Sequence, residues 1–293
     1  MQSDVKILIL GVTGMLGHTL FARLSERKNF SVYGTARNGE KRAGPTAFRL
    51  PQKIYENVDV YNFDSVLRVM RDIKPDVVVN CVGIVKQLPE SKDPLISIMI
   101  NSLFPHQLAR ACKSEKARMI HVSTDCVFSG KKGAYAEQDF PDADDLYGRT
   151  KLLGEVDYPH CVTLRTSIIG HEVKGKHGLI EWFLAQEGRV RGFTRALYSG
   201  FPTVEMGTII ADYVIPNKDL SGLYHVSSEP ISKYDLLRLV AERYGKKVEI
   251  EPFADFVIDR SLDSNRFREA TGYNPPPWPE LVNAMYIDFK GQS

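Results

Sequence analysis

The chain has 293 residues, 43% hydrophobic and 25% charged, with a formal net charge of +2, the profile of a globular protein of one large domain or two joined lobes. So small an excess charge gives no warrant for a nucleic-acid or membrane partner, no apolar run approaches the roughly 18 residues of a membrane span, and Met1 leads straight into a strand pattern without a secretory leader. Cys81, Cys112, Cys126 and Cys161 form no Cys-x-x-Cys pair and have no His at zinc spacing, which predicts free thiols in a reduced, cytoplasmic setting and no metal site.

The first predicted element is a strand over Val5-Lys6-Ile7-Leu8-Ile9-Leu10, a branched apolar run of the kind buried in a parallel sheet. It runs into Gly11, Gly14 and Gly17 and then an amphipathic helix over residues 16–27. Strand, glycine turn and helix in that order let bare amides and the positive helix end face a pyrophosphate. The turn from Gly11 through Thr13 to Gly17 is therefore a candidate dinucleotide cradle. A second strand over residues 31–35 ends near Arg37, with Lys41 and Arg42 behind it. NAD-binding folds place an acidic residue there for the ribose hydroxyls. A guanidinium suits a 2′-phosphate instead, which predicts NADPH in preference to NADH; a solvated basic loop is the alternative.

Residues 38–57 read as a loop, Val58-Asp59-Val60 as a short strand that brings Phe63 and Asp64 beside the adenine, and residues 65–73 as a helix stopped by Pro75. Residues 77–81 read as the next strand, followed by Val82-Gly83-Ile84, a small-residue turn suited to lie against a cofactor. A helix over residues 95–113 carries Pro105, which should bend it. It also carries Asn101, a candidate brace for the active-site backbone or else a surface or capping residue. The strand from Arg118 puts Ser123-Thr124-Asp125-Cys126 at its carboxyl end. After a loop over residues 130–145, Tyr147 and Lys151 stand one helical turn apart on the same face. An ammonium there should lower a phenol pKa of about 10 towards neutral, so that Tyr147 exchanges a proton with a substrate oxygen that Thr124 also contacts.

Strands and helices alternating at this interval predict a doubly wound parallel α/β sheet of the Rossmann kind, with ligands at its carboxyl edge. Residues 1–168, closing with a strand over 161–166, would form the NADP(H)-binding domain. Residues 169–293, where the alternation loosens, would form a smaller C-terminal α/β substrate lobe with chain crossing back at least once. There a turn is expected over residues 197–203, a strand over 223–226, and helices over 178–186, 204–215, 232–244, 263–271 and 279–289, the third capped by Ser232.

With these blocks assembled, the chain resembles the extended short-chain dehydrogenase/reductases, and among them the dTDP-4-dehydrorhamnose reductase family. The resemblance rests on Gly-Val-Thr-Gly-Met-Leu-Gly at 11–17, Ser-Thr-Asp-Cys-Val-Phe-Ser-Gly at 123–130, Tyr-Gly-Arg-Thr-Lys-Leu-Leu-Gly-Glu at 147–155, Leu-Arg-Thr-Ser at 164–167 and Phe-Pro-Thr at 201–203. It implies reduction of the 4-keto group of a nucleotide-linked 6-deoxyhexose by NAD(P)H, with Thr124, Tyr147 and Lys151 as catalytic residues. It also implies that Gly14, Met15, Leu16, Phe63, Asp64, Cys81, Val82 and Gly83 touch the cofactor, Lys151 holds its ribose, and Thr124 and Asp125 touch the substrate. Ile168 stands where the rhamnose enzymes carry a Trp against the sugar, so the particular hexose stays open. Arg260 is a candidate for the nucleotide phosphates, with a surface arginine as the alternative. Family members commonly pair through helices, which suggests a homodimer.

Two further similarities keep other functions in view. Cys126 is also Cys in GDP-fucose synthase and in plant rhamnose epimerase-reductases, and His177 falls where GDP-fucose synthase has its epimerising His. Such a pair could exchange protons on carbons that a 4-keto group acidifies. The plainer account is a small buried Cys126 and an exposed His177 between Lys174, Lys176 and the following helix. The regulatory subunit of methionine adenosyltransferase, which resembles this family, is a non-catalytic alternative.

Overall fold

Ile7 and Ile9 point to one side of the first strand and Leu8 and Leu10 to the other, yet all four are buried. They belong to two separate apolar clusters, because the sheet they open is covered on both faces. The computed structural model describes residues 4–37, 53–173, 175 and 177–292; Lys41, Arg42, Lys174 and Lys176 lie outside them.

Six strands come first: β1 (Val5–Leu10), β2 (Phe30–Thr35), β3 (Ile54–Tyr55), β4 (Val77–Asn80), β5 (Arg118–Thr124) and β6 (Cys161–Thr166). Then β7 (Ile168–Ile169), β8 (Arg189–Tyr198) and β9 (Phe201–Pro202) leave that sheet, β10 (Gly222–His225) returns to it, and β11 (Ile231–Ser232) and β12 (Glu249–Asp259) follow. The main sheet runs β10-β6-β5-β4-β1-β2-β3, with every neighbouring pair parallel. The strand order reverses beside β1, which opens a crevice at the carboxyl edge. This is the expected doubly wound fold, and β10, from the later half of the chain, sits at its edge beside β6. No helix among the described residues is long and apolar enough to cross a membrane.

A second sheet, ordered β11-β8-β12, stands at that edge. Its two long strands are new to the reading: residues 189–196 and 249–259 carry no strand expectation, and β8 runs two residues into the turn expected over 197–203. Arg189, Arg191 and Arg195 on β8 and Glu249, Glu251 and Pro252 on β12 obscure the apolar alternation. The Pro is tolerated because β12 is an edge strand.

Val58-Asp59-Val60 is not a strand. Asn57 takes a left-handed φ of 60°, and Asp59 accepts from the Tyr61 amide while its own amide donates to Ser65, so a turn replaces the extended run. The helix expected to bend at Pro105 departs from regularity just before it: Pro94–Ser97 is α-helical, Ile98–Leu103 is a π-helical turn, and Phe104–Ser114 is α-helical again. Asn101 sits on the π segment, a widening that often accompanies functional positions.

Candidate active site

The carboxyl ends of β1, β4, β5 and β6 open into a cavity of about 600 Å3. At the end of β1, Gly11 adopts φ +83°, and a Cβ on Gly17 would stand 2.1 Å from the Gly11 carbonyl oxygen, so the helix Met15–Ser25 can approach only without a side chain there. Gly14 caps that helix and makes no side-chain cap bond, which leaves first-turn amides available.

At the end of β4 the turn is held from behind. Asn80 accepts from the Val82 amide at 3.1 Å, and Asn101 both accepts from the Ile84 amide at 2.9 Å and donates to the Ile84 carbonyl at 3.2 Å. Asn101 therefore acts as the brace, and Gly83 is presented bare to the cavity. A Cβ there would come to 3.4 Å from Asn101 Oδ1 and 4.0 Å from Lys151 Nζ.

The helix Leu146–Leu153 delivers Tyr147 and Lys151. Asp145 caps it by accepting from the Gly148 amide at 2.7 Å, and pairs with Lys86 Nζ at 2.6 Å. Gly148 lets the helix press on the strand end, since a Cβ would meet the Cys126 carbonyl oxygen at 2.2 Å. Thr124 Oγ1 accepts from the Cys126 amide at 3.1 Å and donates to Asp125 at 3.2 Å. Behind them lies a buried network: Ser123 donates to Glu155 at 2.6 Å, Arg165 pairs with Glu155 at 2.7 Å, and Arg165 reaches His225 at 3.2 Å.

Lys151 is only 6% exposed and donates to the Val122 carbonyl at 2.9 Å. Burial pushes its ammonium down to about 8, against Glu155 and Cys81, which hold it up. The expected drop in the Tyr147 pKa does not occur. Burial, then Cys126, Asp125 and Asp145, push the phenol upward, and only a hydrogen bond with Thr124 works the other way. The correction is physical: removing a phenolate from water outweighs the help of an ammonium that is itself desolvated. The Cys126 thiol is likewise pushed up to about 12 by burial and Asp125.

Of the residues proposed from sequence, Thr13, Gly14, Met15, Leu16, Cys81, Val82, Gly83, Thr124, Asp125, Cys126, Tyr147, Lys151, Ile168, His177 and Arg260 line this one cavity. Gly11 and Gly17 pack against each other beside it without lining it. Arg37 is exposed just past β2, Phe63 packs edge-on against Phe104 at 6.1 Å, and Asp64 is exposed on the first turn of Phe63–Ile73, so these three stand outside the cavity. Lys86, Glu172, Tyr198 and Lys233 line it and were missed. Only Lys233 had a local signal, its place directly after the helix cap Ser232. The bare Gly11–Gly17 turn, the glycine at 83 and the nearby Lys151 ammonium fit a dinucleotide: backbone for phosphates, a flat surface for a ring and a cation for ribose hydroxyls.

The model of the RmlD substrate binding domain family matches residues 5–290. The chain belongs to that family. Methionine adenosyltransferase 2 subunit beta of Xenopus laevis is 25% identical over 309 residues, covering 99% of this chain and 85% of that protein. A dTDP-4-dehydrorhamnose reductase of Aggregatibacter actinomycetemcomitans is 24% identical, covering 94% and 97%. The crystal structure of dTDP-4-dehydrorhamnose reductase from Bacillus anthracis in complex with NADP superposes with a TM-score of 0.79 at 19% identity, covering 97% of this chain and 99% of that one. The RmlD-family fold thus extends across both sheets described above.

Proposed function

We propose that this protein is an NADPH-dependent oxidoreductase that reduces the 4-keto group of a nucleotide-linked 6-deoxyhexose, in the manner of a dTDP-4-dehydrorhamnose reductase. The observation that carries the reading is the meeting of Thr124, Tyr147 and Lys151 with the bare glycine turn in one cavity of an RmlD-family chain.

When bound, NADPH supplies the hydride that reduces the ketone. The turn from Gly11 to Gly17 would hold its diphosphate, Cys81, Val82 and Gly83 would flank its ring, and Lys151 would hold its ribose. Arg37 favours the 2′-phosphate, with Phe63 and Asp64 further along the same edge. Tyr147 donates the proton. Its raised pKa keeps the phenol protonated, and an alkoxide is basic enough to take that proton as negative charge grows on the sugar oxygen. Thr124, its hydroxyl proton turning from Asp125 to the same oxygen, offers a hydrogen bond that strengthens in the transition state. Lys151, titrating near 8, supports the phenolate left behind. Asp125 and Ile168 face the sugar and Arg260 its phosphates. Pairing as a homodimer in a reduced cytoplasm belongs to the same reading.

A second reading adds epimerisation, favoured by Cys126 and His177 lining one cavity. A thiol held protonated would serve as the proton donor of that pair. Cys126→Ser would then stop solvent deuterium entering the sugar ring while ketone reduction continues. The relatives named as methionine adenosyltransferase subunits keep a regulatory role in view. The test is absorbance loss of NADPH over a panel of dTDP-, UDP- and GDP-linked 4-keto sugars. Oxidation with at least one supports the reductase; tight NADPH binding with none supports the regulatory role.

A further inference from the structure

Ser232 on β11 and Asp259 on β12 both pair with Leu197 of β8. β11 is antiparallel and β12 parallel to β8, so Lys233 and Arg260 step in opposite directions from Leu197, one on each flank of β8 near its carboxyl end, and both line the cavity. Ser232 fixes the first of them: its hydroxyl accepts from the Asp235 amide at 3.0 Å and starts the helix Lys233–Tyr244. Among the described residues the Lys233 ammonium makes no hydrogen bond or ion pair. Arg260 spends Nε on the Phe128 carbonyl at 2.7 Å, and its terminal nitrogens make no bond to a described residue. Asp125 is the neighbouring anion, but it accepts from Thr124 and lies in ion-pair contact with neither cation. Burial holds the Lys233 ammonium below its usual range; Asp125 and then Cys126 work against it, and the Arg260 guanidinium adds a smaller push downward.

Asp125 offsets the repulsion between the two cations from a distance but gives neither the Lys233 ammonium nor the Arg260 terminal nitrogens an acceptor, and desolvated donors without one are costly; an anion between them supplies it. We propose that Lys233 and Arg260 form a two-cation seat for the diphosphate of the substrate, with Lys233 a substrate-binding residue in its own right. This rests on the nucleotide-sugar reading above and deepens it. An Arg fork and a Lys point charge are complementary ways to hold phosphate oxygens. The cofactor's own diphosphate has the glycine turn at the end of β1. Lys233 and Arg260 instead stand by Asp125 and Cys126 at the reacting end, so the anion they take is the substrate's.

The experiment is calorimetric titration of UDP, dTDP and GDP into the protein saturated with NADP+, which keeps every probe out of the cofactor cradle. At least one of them binds the wild type. Lys233→Met weakens that binding roughly tenfold or more, the loss of one charge-assisted contact, whereas Lys233→Arg retains most of it, and NADP+ affinity stays the same in all three proteins, which reports an intact fold. If none of the three probes binds the wild type, the nucleotide-sugar reading falls and the seat with it. If a probe binds wild type and Lys233→Met alike, the nucleotide-sugar reading stands and the Lys233 assignment is overturned.

Discussion

The wall of the cavity built by the parallel sheet has its polar groups engaged: Asn80 with Val82, Asn101 with Ile84, Lys151 with Val122, and Ser123 and Arg165 with Glu155. The wall built by β11, β8 and β12 presents Lys233 and Arg260 with bonding capacity to spare. Groups that must act at a fixed point are held from behind, which spares the reaction the cost of ordering them. Groups that only have to attract a charged ligand can wait without partners. On the reading proposed above, chemistry and recognition are divided between two sheets that meet at the ends of their strands.

The division is most sharply broken at Tyr147. Tyr147→Phe should lower kcat by about 10^2 to 10^4-fold, the usual worth of a positioned general acid, with NADPH affinity nearly unchanged in a fluorescence titration. Next in size is the support behind that wall. Glu155→Gln removes one partner of the buried pair with Arg165 and should cost about 3 kcal/mol or more of stability in denaturant melts; equal melts would mean that the network is ornamental. Arg37→Ala, outside both walls, should raise KM for NADPH roughly tenfold more than for NADH, as expected for one lost phosphate contact; parallel shifts for the two cofactors would remove the specificity argument.

A smaller effect tests the titration of the rigid wall. The phenol, pushed up by burial, stays protonated through the accessible range, whereas Lys151 is held down to about 8. Reduction should therefore decline as pH rises through about 8. Stability runs the opposite way. A lysine whose folded pKa is depressed costs stability while it is charged, below about 8, and that cost is relieved as pH climbs towards the unfolded value. Lys151→Met should flatten the rise of stability with pH, which melts across that window would register.

The glycine turn and the Tyr147–Lys151 spacing were legible because their geometry is local: a positive φ at Gly11 and one turn of helix suffice. The brace at Asn101 was legible only as one of two options, since its partner Ile84 is reached across the fold. Lys233 was not legible, because only the register that pairs Ser232 and Asp259 with one Leu197 brings it beside Arg260. The direction of the Tyr147 shift was misjudged for a related reason: spacing names the neighbouring cation, but burial, set by the packing of Gly148 on Cys126 and of the cavity walls together, decides the sign.

The central claim is that this cavity reduces a sugar ketone with Tyr147 as the acid. Incubation with NADPH deuterated at the transferable position and the keto-sugar nucleotides, followed by mass spectrometry, tests it directly. One deuterium on the reduced carbon with the wild type, and almost none with Tyr147→Phe, is the predicted result. Label that stays on the cofactor with every sugar, or transfer that proceeds unchanged without the phenol, would contradict it.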